Sequence, residues 1–403
     1  MAGKRILFLT HLYPPAVGGA ERLFQRLGEG LGERGHSVSV LTSDAVSTEQ
    51  FFTPADNGLP RRDRMGGVRV FRESIRHPAY SAIKPFDKAA KRLGRAGVLI
   101  RPFVFGPHYS AATFRRLLRE GFEVVVAGPV PTTSVFYALL FRCFASTVKL
   151  VFVPCMHTRD KLHVSPINLW AMRKAEAVAT LSEDEREFLA GKGVQRSRLF
   201  RVAAAVDDAI AEAPASLPGG EGEPTDYVLY LGQEGEHKRI PLLIKAMTGL
   251  WAKGFRHSLV IAGARTQHSA VIDRLIAAVP PTWRGRIFRF SDFSESRKVD
   301  LLDGCRLLVN PSSFESFGIV FLEAWARRKP VVGSCIRAVR EIIRDGENGF
   351  LFEDRNAADL EEKIASLLTD VWLSSGMGEA GFREVQKHYR WAGVVADFER
   401  IVL

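Results

Sequence analysis

The sequence predicts an α/β protein made of two doubly wound domains, each a mainly parallel sheet wrapped by helices. Three observations carry that prediction. The chain has 403 residues, more than one hydrophobic core usually serves. Short apolar runs alternate with helix-length segments along most of it. A stretch dense in Pro, Gly and small residues, AEAPASLPGGEGEPT at 211–225, separates two such series and reads as the linker.

The elements follow in order. Ile6-Leu7-Phe8-Leu9 is a short buried-strand pattern, and Leu23, Phe24, Leu27 and Leu31 then recur at helical spacing before the run from Val38 to Leu41. This is β-α-β. Further apolar runs at Val124 to Ala127, Leu150 to Val153 and Ala177 to Leu181 complete a first parallel sheet within residues 1–210. After the linker the alternation restarts with Tyr227 to Leu231, a helix from Leu242 to Leu250, and runs at Leu259 to Ala262, Ile287 to Phe290, Leu307 to Asn310 and Val331 to Gly333. A second such domain therefore occupies 226–381, and its ligands are expected at the carboxyl ends of its strands.

Composition excludes several classes. Hydrophobic residues make up 46% and charged residues 25%, which argues against disorder and for a sizeable core. The four cysteines, at 143, 155, 305 and 335, have no CxxC spacing, so neither a disulfide framework nor a thiolate zinc site is suggested, and a reducing cytoplasm fits best. His11 and the pair Pro14 and Pro15 end the first apolar run too early for a signal peptide, and no stretch approaches a membrane span. The net charge of +11 is uneven, because residues 61–119 alone hold fifteen basic and three acidic side chains. Such a concentration marks a surface that meets phosphate.

Two stretches carry chemistry. His11 to Glu21 follows the first strand and places Gly18 and Gly19 just before a helix start, where free N–H groups suit an anionic phosphate. A turn needing positive φ at Gly18 or Gly19 explains the same glycines equally well. By contrast, Gly28, Gly30 and Gly32 lie inside the first helix pattern and are ordinary helix glycines, not a dinucleotide fingerprint. The second stretch, Pro311 to Ala324, sets Glu315 in a loop after a strand and Glu323 about two turns into a helix starting near Phe317. Carboxylates accept from vicinal hydroxyls and the helix start offers N–H groups to a phosphate, a combination that a nucleotide sugar presents. A capping acid at Glu315 and a solvated Glu323 are the plainer alternative.

The second stretch resembles the E-x7-E motif of the retaining glycosyltransferases of family 4, whose GT-B fold sets two Rossmann-like domains facing across a cleft. The likeness runs along nearly the whole chain. His11 to Glu21 resembles the family's glycine loop, and Phe152 to His157 ends where its active-site histidine lies. Thr180-Leu181-Ser182 and Val206-Asp207 resemble two further family segments. Tyr230 to Lys238 resembles the family's phosphate site, and the tail from Phe382 to Val395 resembles final helices that return to the first domain, here 382–403. The resemblance implies that Glu323 holds the ribose hydroxyls and Glu315 those of the donor sugar. Gly318 and Ile319 would offer backbone N–H groups, Lys238 would face the diphosphate, and His157 would touch the sugar near the reaction centre. It also implies a hexosyl transfer with retention by front-face displacement, in which the leaving phosphate takes the acceptor proton, and no bound metal or other cofactor. Three departures stand out. Gln233 occupies the place of the family's arginine, Arg327-Arg328-Lys329 replaces a small residue and glycine, and Arg337 to Glu341 replaces a glycine-containing segment. His237, Arg239 and Arg337 are the candidates to restore the lost charge.

Within the basic segment, Phe86, Ala90 and Leu93 fall on one side of a helix and Lys88, Lys91, Arg92 and Arg95 on the other. Such a helix is suited to lie on an anionic membrane or to meet the acceptor; a core-packed helix with a solvated basic face is the alternative. The expected protein is thus a transferase using a UDP- or GDP-linked sugar and a lipid-linked or glycan acceptor, cytoplasmic and peripheral at the inner membrane face. A non-catalytic GT-B scaffold and an enzyme acting on a soluble acceptor are the competing readings. Nucleic acid is not an expected partner, since no helix-turn-helix, zinc or RNP signature accompanies the charge.

Overall fold

The structure, a computed structural model, describes residues 3–52, 56–75, 83–92, 94, 106–158, 160–215, 224–315 and 317–403, without the side chains of 83, 84, 86, 87 and 91. The chain divides into two compact units, Met1–Ala203 with Ala392–Leu403, and Ala204–Trp391.

In the first unit β1 (Arg5–Leu9), β2 (Ser37–Ser43), β3 (Arg62–Met65), β4 (Val68–Glu73), β5 (Val124–Ala127), β6 (Lys149–Phe152), β7 (Ala177–Thr180) and β8 (Leu199–Arg201) form one sheet in the order β3-β4-β2-β1-β5-β6-β7-β8. Every pairing is parallel except β3 with β4. Strand order reverses direction between β1 and β5, which makes the carboxyl ends of that pair a switch point. Both faces of β1 are buried, so its sequence is continuously apolar rather than alternating. Leu7 and Leu9 join a core with Val135, Ala138 and Phe141 of the helix Ser134–Phe144. Phe8 instead meets Phe24 and Phe398 edge-on, with centroids 6.0 and 6.4 Å apart. Phe398 belongs to the last helix, Trp391–Val402, which also seats Val395 against Gly30 and sets Glu399 2.6 Å from Arg34 and 2.9 Å from His36. A Cβ on Gly30 would lie 2.5 Å from Val395, so this helix glycine permits a close approach.

The second unit repeats the plan with β9 (Tyr227–Leu231), β10 (Ser258–Ala262), β11 (Ile287–Phe290), β12 (Cys305–Asn310), β13 (Val331–Ser334) and β14 (Phe350–Phe352), in the order β11-β10-β9-β12-β13-β14, parallel throughout. The switch point here lies between β9 and β12. Buried Leu243, Met247 and Leu250 of the helix Ile240–Ala252 cover one face of the sheet.

Three expectations are corrected. The hairpin β3–β4 and the short strands β8 and β14 were not anticipated, because their apolar runs are brief or interleaved with arginine. The helix expected near Phe317 begins at Ile319, since Gly318 takes a left-handed conformation, φ 95°, that breaks the helix before it. The crossovers occur at 203/204 and 391/392 rather than at 210 and 382. Val206 N–H donates to Tyr389 O at 3.0 Å and Arg390 reaches Asp208 at 3.0 Å, which ties 204–210 to the second unit. The helix Val371–His388 stays there too, packed through Gly378 and Gly381 against Arg328 and Trp325.

That helix supplies a paired test. A Cβ at Gly378 would meet Arg328 O at 2.1 Å, whereas none would be met at the exposed Gly376. Gly378→Ala should lower the unfolding free energy by about 1–3 kcal/mol, and Gly376→Ala should raise it by about 0.4–1 kcal/mol. Urea unfolding midpoints of the two variants should therefore move in opposite directions.

Candidate functional site

In the second unit the chain leaves β9 through Gly232, whose N–H bonds Ala262 O at 2.9 Å, while Gly263 lies against Gly232 O so closely that a Cβ would stand 1.9 Å from it. With φ of 152° as well, Gly263 admits no side chain without moving this loop. The loop then turns through Glu236–Lys238 into the helix Ile240–Ala252. Its turn is held to the loop after β12, where both N–H and Oγ of Ser313 donate to His237 O, at 2.8 and 3.0 Å.

Two of the predicted residues meet here. Lys238 Nζ donates to Glu315 Oε1 at 2.6 Å, with side chains only 18% and 11% exposed. Asn310 Nδ2 donates to the same oxygen at 2.9 Å, and Ser312 Oγ in turn donates to Asn310 Oδ1 beside the carboxylate. Burial alone would raise the Glu315 pKa, but the Lys238 charge and these hydrogen bonds outweigh it and hold the carboxyl below its ordinary range. Glu323 lies on the helix Ile319–Ala326, 7% exposed, where Lys298 Nζ donates to it at 3.2 Å. Burial disfavours charge on Lys298, yet Glu323 and Glu295 together raise its pKa. The helix that begins after Gly318 has no side-chain cap among the described residues, so the N–H groups at Ile319 and the next residue lie at its positive end without an intrahelical partner. The arrangement joins one buried and one partly buried carboxylate, two ammonium groups and a helix start, which can take hydroxyls and phosphate together.

Of the three cations proposed to replace the missing arginine, two do not serve. Arg239 is ion-paired with Asp354. His237 has its pKa lowered by partial burial and by the neighbouring Lys238, so it is mainly neutral at pH 7. Gln233 itself is exposed, and its carbonyl accepts from Tyr230 Oη at 2.8 Å. The altered basic run serves structure: Arg327 binds Asp303 at 2.6 Å and the carbonyls of Ile210 and Ala213, Arg328 pairs with Glu379, and Lys329 donates to Asp303 O at 2.6 Å.

In the first unit Gly18 is extended, φ 173°, and Gly19 is the first helical residue, so the positive-φ reading of these glycines fails. Space is the reason for Gly18, because a Cβ there would lie 2.1 Å from Glu21 Oε2. Glu21, 7% exposed, sits 3.3 Å from His11 Nε2, and His11 Nδ1 is buried without a hydrogen-bond partner. Burial raises the Glu21 pKa and lowers that of His11 to about 3, so the histidine is neutral. His157 follows Cys155, which has φ 46°, and Met156. Glu185 holds that segment by accepting from Met156 N–H at 2.7 Å and Leu181 N–H at 2.8 Å, while Ser182 caps its helix. The His157 ring stacks on His163 with centroids 4.6 Å apart, and His157 N–H donates to His163 Nδ1 at 3.1 Å. Burial first, then His157, lowers the His163 pKa to about 4, which suits a neutral acceptor nitrogen.

Sequence reasoning missed Lys298, Asn310, Ser312, Glu185 and His163. Only Glu185 left a signal, as the acid three residues after Ser182 in a capping-box pattern. Of the basic-helix residues, Lys88 and Arg92 are exposed and Ala90 is buried on the helix Ile83–Arg92. The side chains of Phe86 and Lys91, with Leu93 and Arg95, lie outside the described residues. Among the described residues no helix is long and apolar enough to cross a membrane, and no group of three His, Cys, Asp or Glu side chains is placed to hold a metal ion.

The buried His11 yields a pH test. In the unfolded chain it takes a proton as pH falls through about 6.5, while in the fold it resists protonation to about 3. Its contribution is fully present above the unfolded pKa and is lost as pH falls; Glu21, with a raised pKa, acts in the opposite sense. Between pH 7 and 5 His11 should cost roughly 2 kcal/mol of stability. Denaturant unfolding at both pH values should show a smaller loss in His11→Asn than in the parent chain; equal losses would contradict the assignment.

Comparison with known proteins adds the family. The model of "Glycosyl transferase 4-like domain" matches residues 18–205, and that of "Glycosyl transferases group 1" matches 218–384. A glycogen synthase of Mycobacterium tuberculosis is 24% identical over 411 aligned residues, 99% of this chain and 94% of that protein. A phosphatidyl-myo-inositol mannosyltransferase of Mycobacterium leprae is 26% identical over 64% of this chain and 79% of its own length. The solved structure of Anabaena HepE with UDP and glucose has a TM-score of 0.71 at 14% identity, covering 98% of each chain. With the same two-sheet architecture and a glycosyltransferase model on each unit, the chain is a glycosyltransferase of the GT-B type.

Proposed function

We propose that the chain is a retaining enzyme that moves a hexosyl group from a UDP- or GDP-linked sugar to a lipid-linked or glycan acceptor at a cytoplasmic membrane face. The observation that carries the reading is the partly buried Lys238–Glu315 pair at the carboxyl ends of β9 and β12, beside the helix that starts after Gly318. A diphosphate entering there draws on Lys238 and on the N–H groups at Gly318 and Ile319. Glu323, oriented by Lys298, accepts from ribose hydroxyls, and Glu315 accepts from the sugar. The bond from the anomeric carbon to the phosphate oxygen breaks as the acceptor oxygen attacks the same face, and the acceptor proton passes to the departing phosphate. Charge stabilisation of that leaving group falls to Lys238. His157, held through its backbone by His163, borders the sugar in this reading. The N–H groups at Gly18 and Gly19 would serve as further donor contacts in this scheme. The complex of HepE with UDP supports the donor class, and the lipid substrate in the name of the mycobacterial relative supports the acceptor class. No metal or other cofactor takes part in this scheme.

Two measurements test it. Calorimetry with UDP and GDP should show binding that Lys238→Ala weakens by about 1.5 kcal/mol or more, and unchanged affinity would remove the donor assignment in favour of a non-catalytic scaffold. Glu315→Ala and His157→Ala should depress transfer far more than nucleotide affinity. For the membrane, binding to anionic vesicles should fall as salt rises and drop when Lys88, Lys91, Arg92 and Arg95 are all changed to Gln. Equal partition onto neutral and anionic vesicles would move the acceptor to a soluble molecule.

A further inference from the structure

We propose that a cavity on the first unit, bounded by Arg61, Arg62 and Arg116, binds a phosphate ester that carries neighbouring hydroxyls, and that this ester belongs to the acceptor. The acceptor role rests on the transferase reading above; the binding site itself does not.

The cavity has a volume of about 660 Å³ and its charged lining consists of four arginines and one glutamate. Three chain segments converge on it. Glu73 ends β4 opposite Ser43 of β2, which puts it at the carboxyl end of the parallel sheet, where ligands of such sheets bind. The antiparallel β3 begins at the same end, pairing Arg62 with Phe71, while Arg72 N–H bonds Arg61 O at 2.9 Å. The helix Ala111–Leu118 starts there as well, with Ser110 Oγ accepting from Thr113 N–H at 3.1 Å.

The arginines divide into two kinds. Arg72, with a side chain 1% exposed, is consumed by structure: it binds Asp63 at 3.0 Å and the carbonyls of Pro60 and Pro14 at 3.3 and 2.8 Å. Arg116 is held with its guanidinium 4.7 Å from the Phe71 ring centroid, and its Nε is buried without a hydrogen-bond partner. Arg61 and Arg62 are exposed and have no ion-pair partner among the described residues. Three guanidinium groups outside any ion pair among the described residues thus line one volume together with the single carboxylate of Glu73. Forked donors of this kind match phosphate oxygens in pairs, and Arg116 is pre-oriented by its ring contact.

Glu73 selects among phosphates. Its carboxylate receives Ser110 Oγ at 3.3 Å and Ser110 N–H at 3.4 Å, and it keeps acceptor capacity toward the cavity. A bare anion gains nothing from that carboxylate, whereas a sugar or polyol phosphate can donate a hydroxyl to it while the arginines hold the phosphate. A lipid headgroup and a free sugar phosphate present the same chemistry.

Calorimetry on the full chain with glucose 6-phosphate, inorganic phosphate and glucose tests the site, with phosphatidylcholine vesicles with and without phosphatidylinositol as the lipid arm. Glucose 6-phosphate or the phosphatidylinositol vesicles should bind, inorganic phosphate more weakly and glucose not measurably. The double variant Arg61→Gln with Arg62→Gln, and separately Arg116→Gln, should weaken the bound probe tenfold or more, with UDP affinity and the thermal midpoint unchanged. Binding of both phosphate probes that is insensitive to the variants, or equal affinity for glucose and its phosphate, would overturn the proposal. If the arginines bind the ester but no nucleotide binds anywhere, the donor reading falls and this site stands.

Discussion

The arrangement of the loops after β9 and β12 depends on satisfying one partly buried ion pair, Lys238 with Glu315. Two charges withdrawn from water are tolerated only when geometry and hydrogen bonds compensate the lost hydration. Asn310, itself held by Ser312, supplies such a bond, Ser313 fastens the two loops through His237 O, and the tight passage of Gly263 past Gly232 fixes where the first loop leaves its strand. Removing either charge would strand the other. A ligand that brings phosphate to Lys238 and hydroxyls to Glu315 can replace the pairing without leaving either group unsolvated, which makes the pair suited to a substrate carrying both.

The first unit handles its buried polar groups by the opposite means. His11 and His163 are kept neutral by burial, and burial also raises the pKa of Glu21 behind the carboxyl end of β1. The ionisable side chain that does order this region, Glu185, spends both oxygens on backbone N–H groups. Uncompensated positive charge is instead moved outward to the edge formed by β3 and β4. The two units therefore share a topology and differ in electrostatic strategy.

Departures from the family pattern find their reasons in local packing. Arg327, Arg328 and Lys329 stand where smaller residues are usual, and each is bound to a carboxylate or carbonyl of its own unit. Such substitutions redistribute supporting contacts around the site without adding cations to it.

Periodicity and punctuation made much of the fold legible. The limits of β5, β9 and β11 follow from their apolar runs, and the candidates Glu315 and Glu323 from spacing beside a strand end and a helix. These are local signals, written by neighbours in sequence. The hairpin β3–β4 escaped because its alternation of Val with Arg looks like a solvated charge run until a partner strand buries one face. Lys298 escaped for a similar reason, being 25 residues from Glu323 with nothing local to mark it. Sequence alone thus determined the continuously apolar strands, most of the helices between them and which carboxylates are candidates. Tertiary structure decided that Lys238 and Glu315, 77 residues apart, share one partly buried hydrogen bond, and that Gly18 makes room for Glu21 rather than for a turn. Such choices rest on burial and three-dimensional proximity, and no periodicity in the chain encodes either.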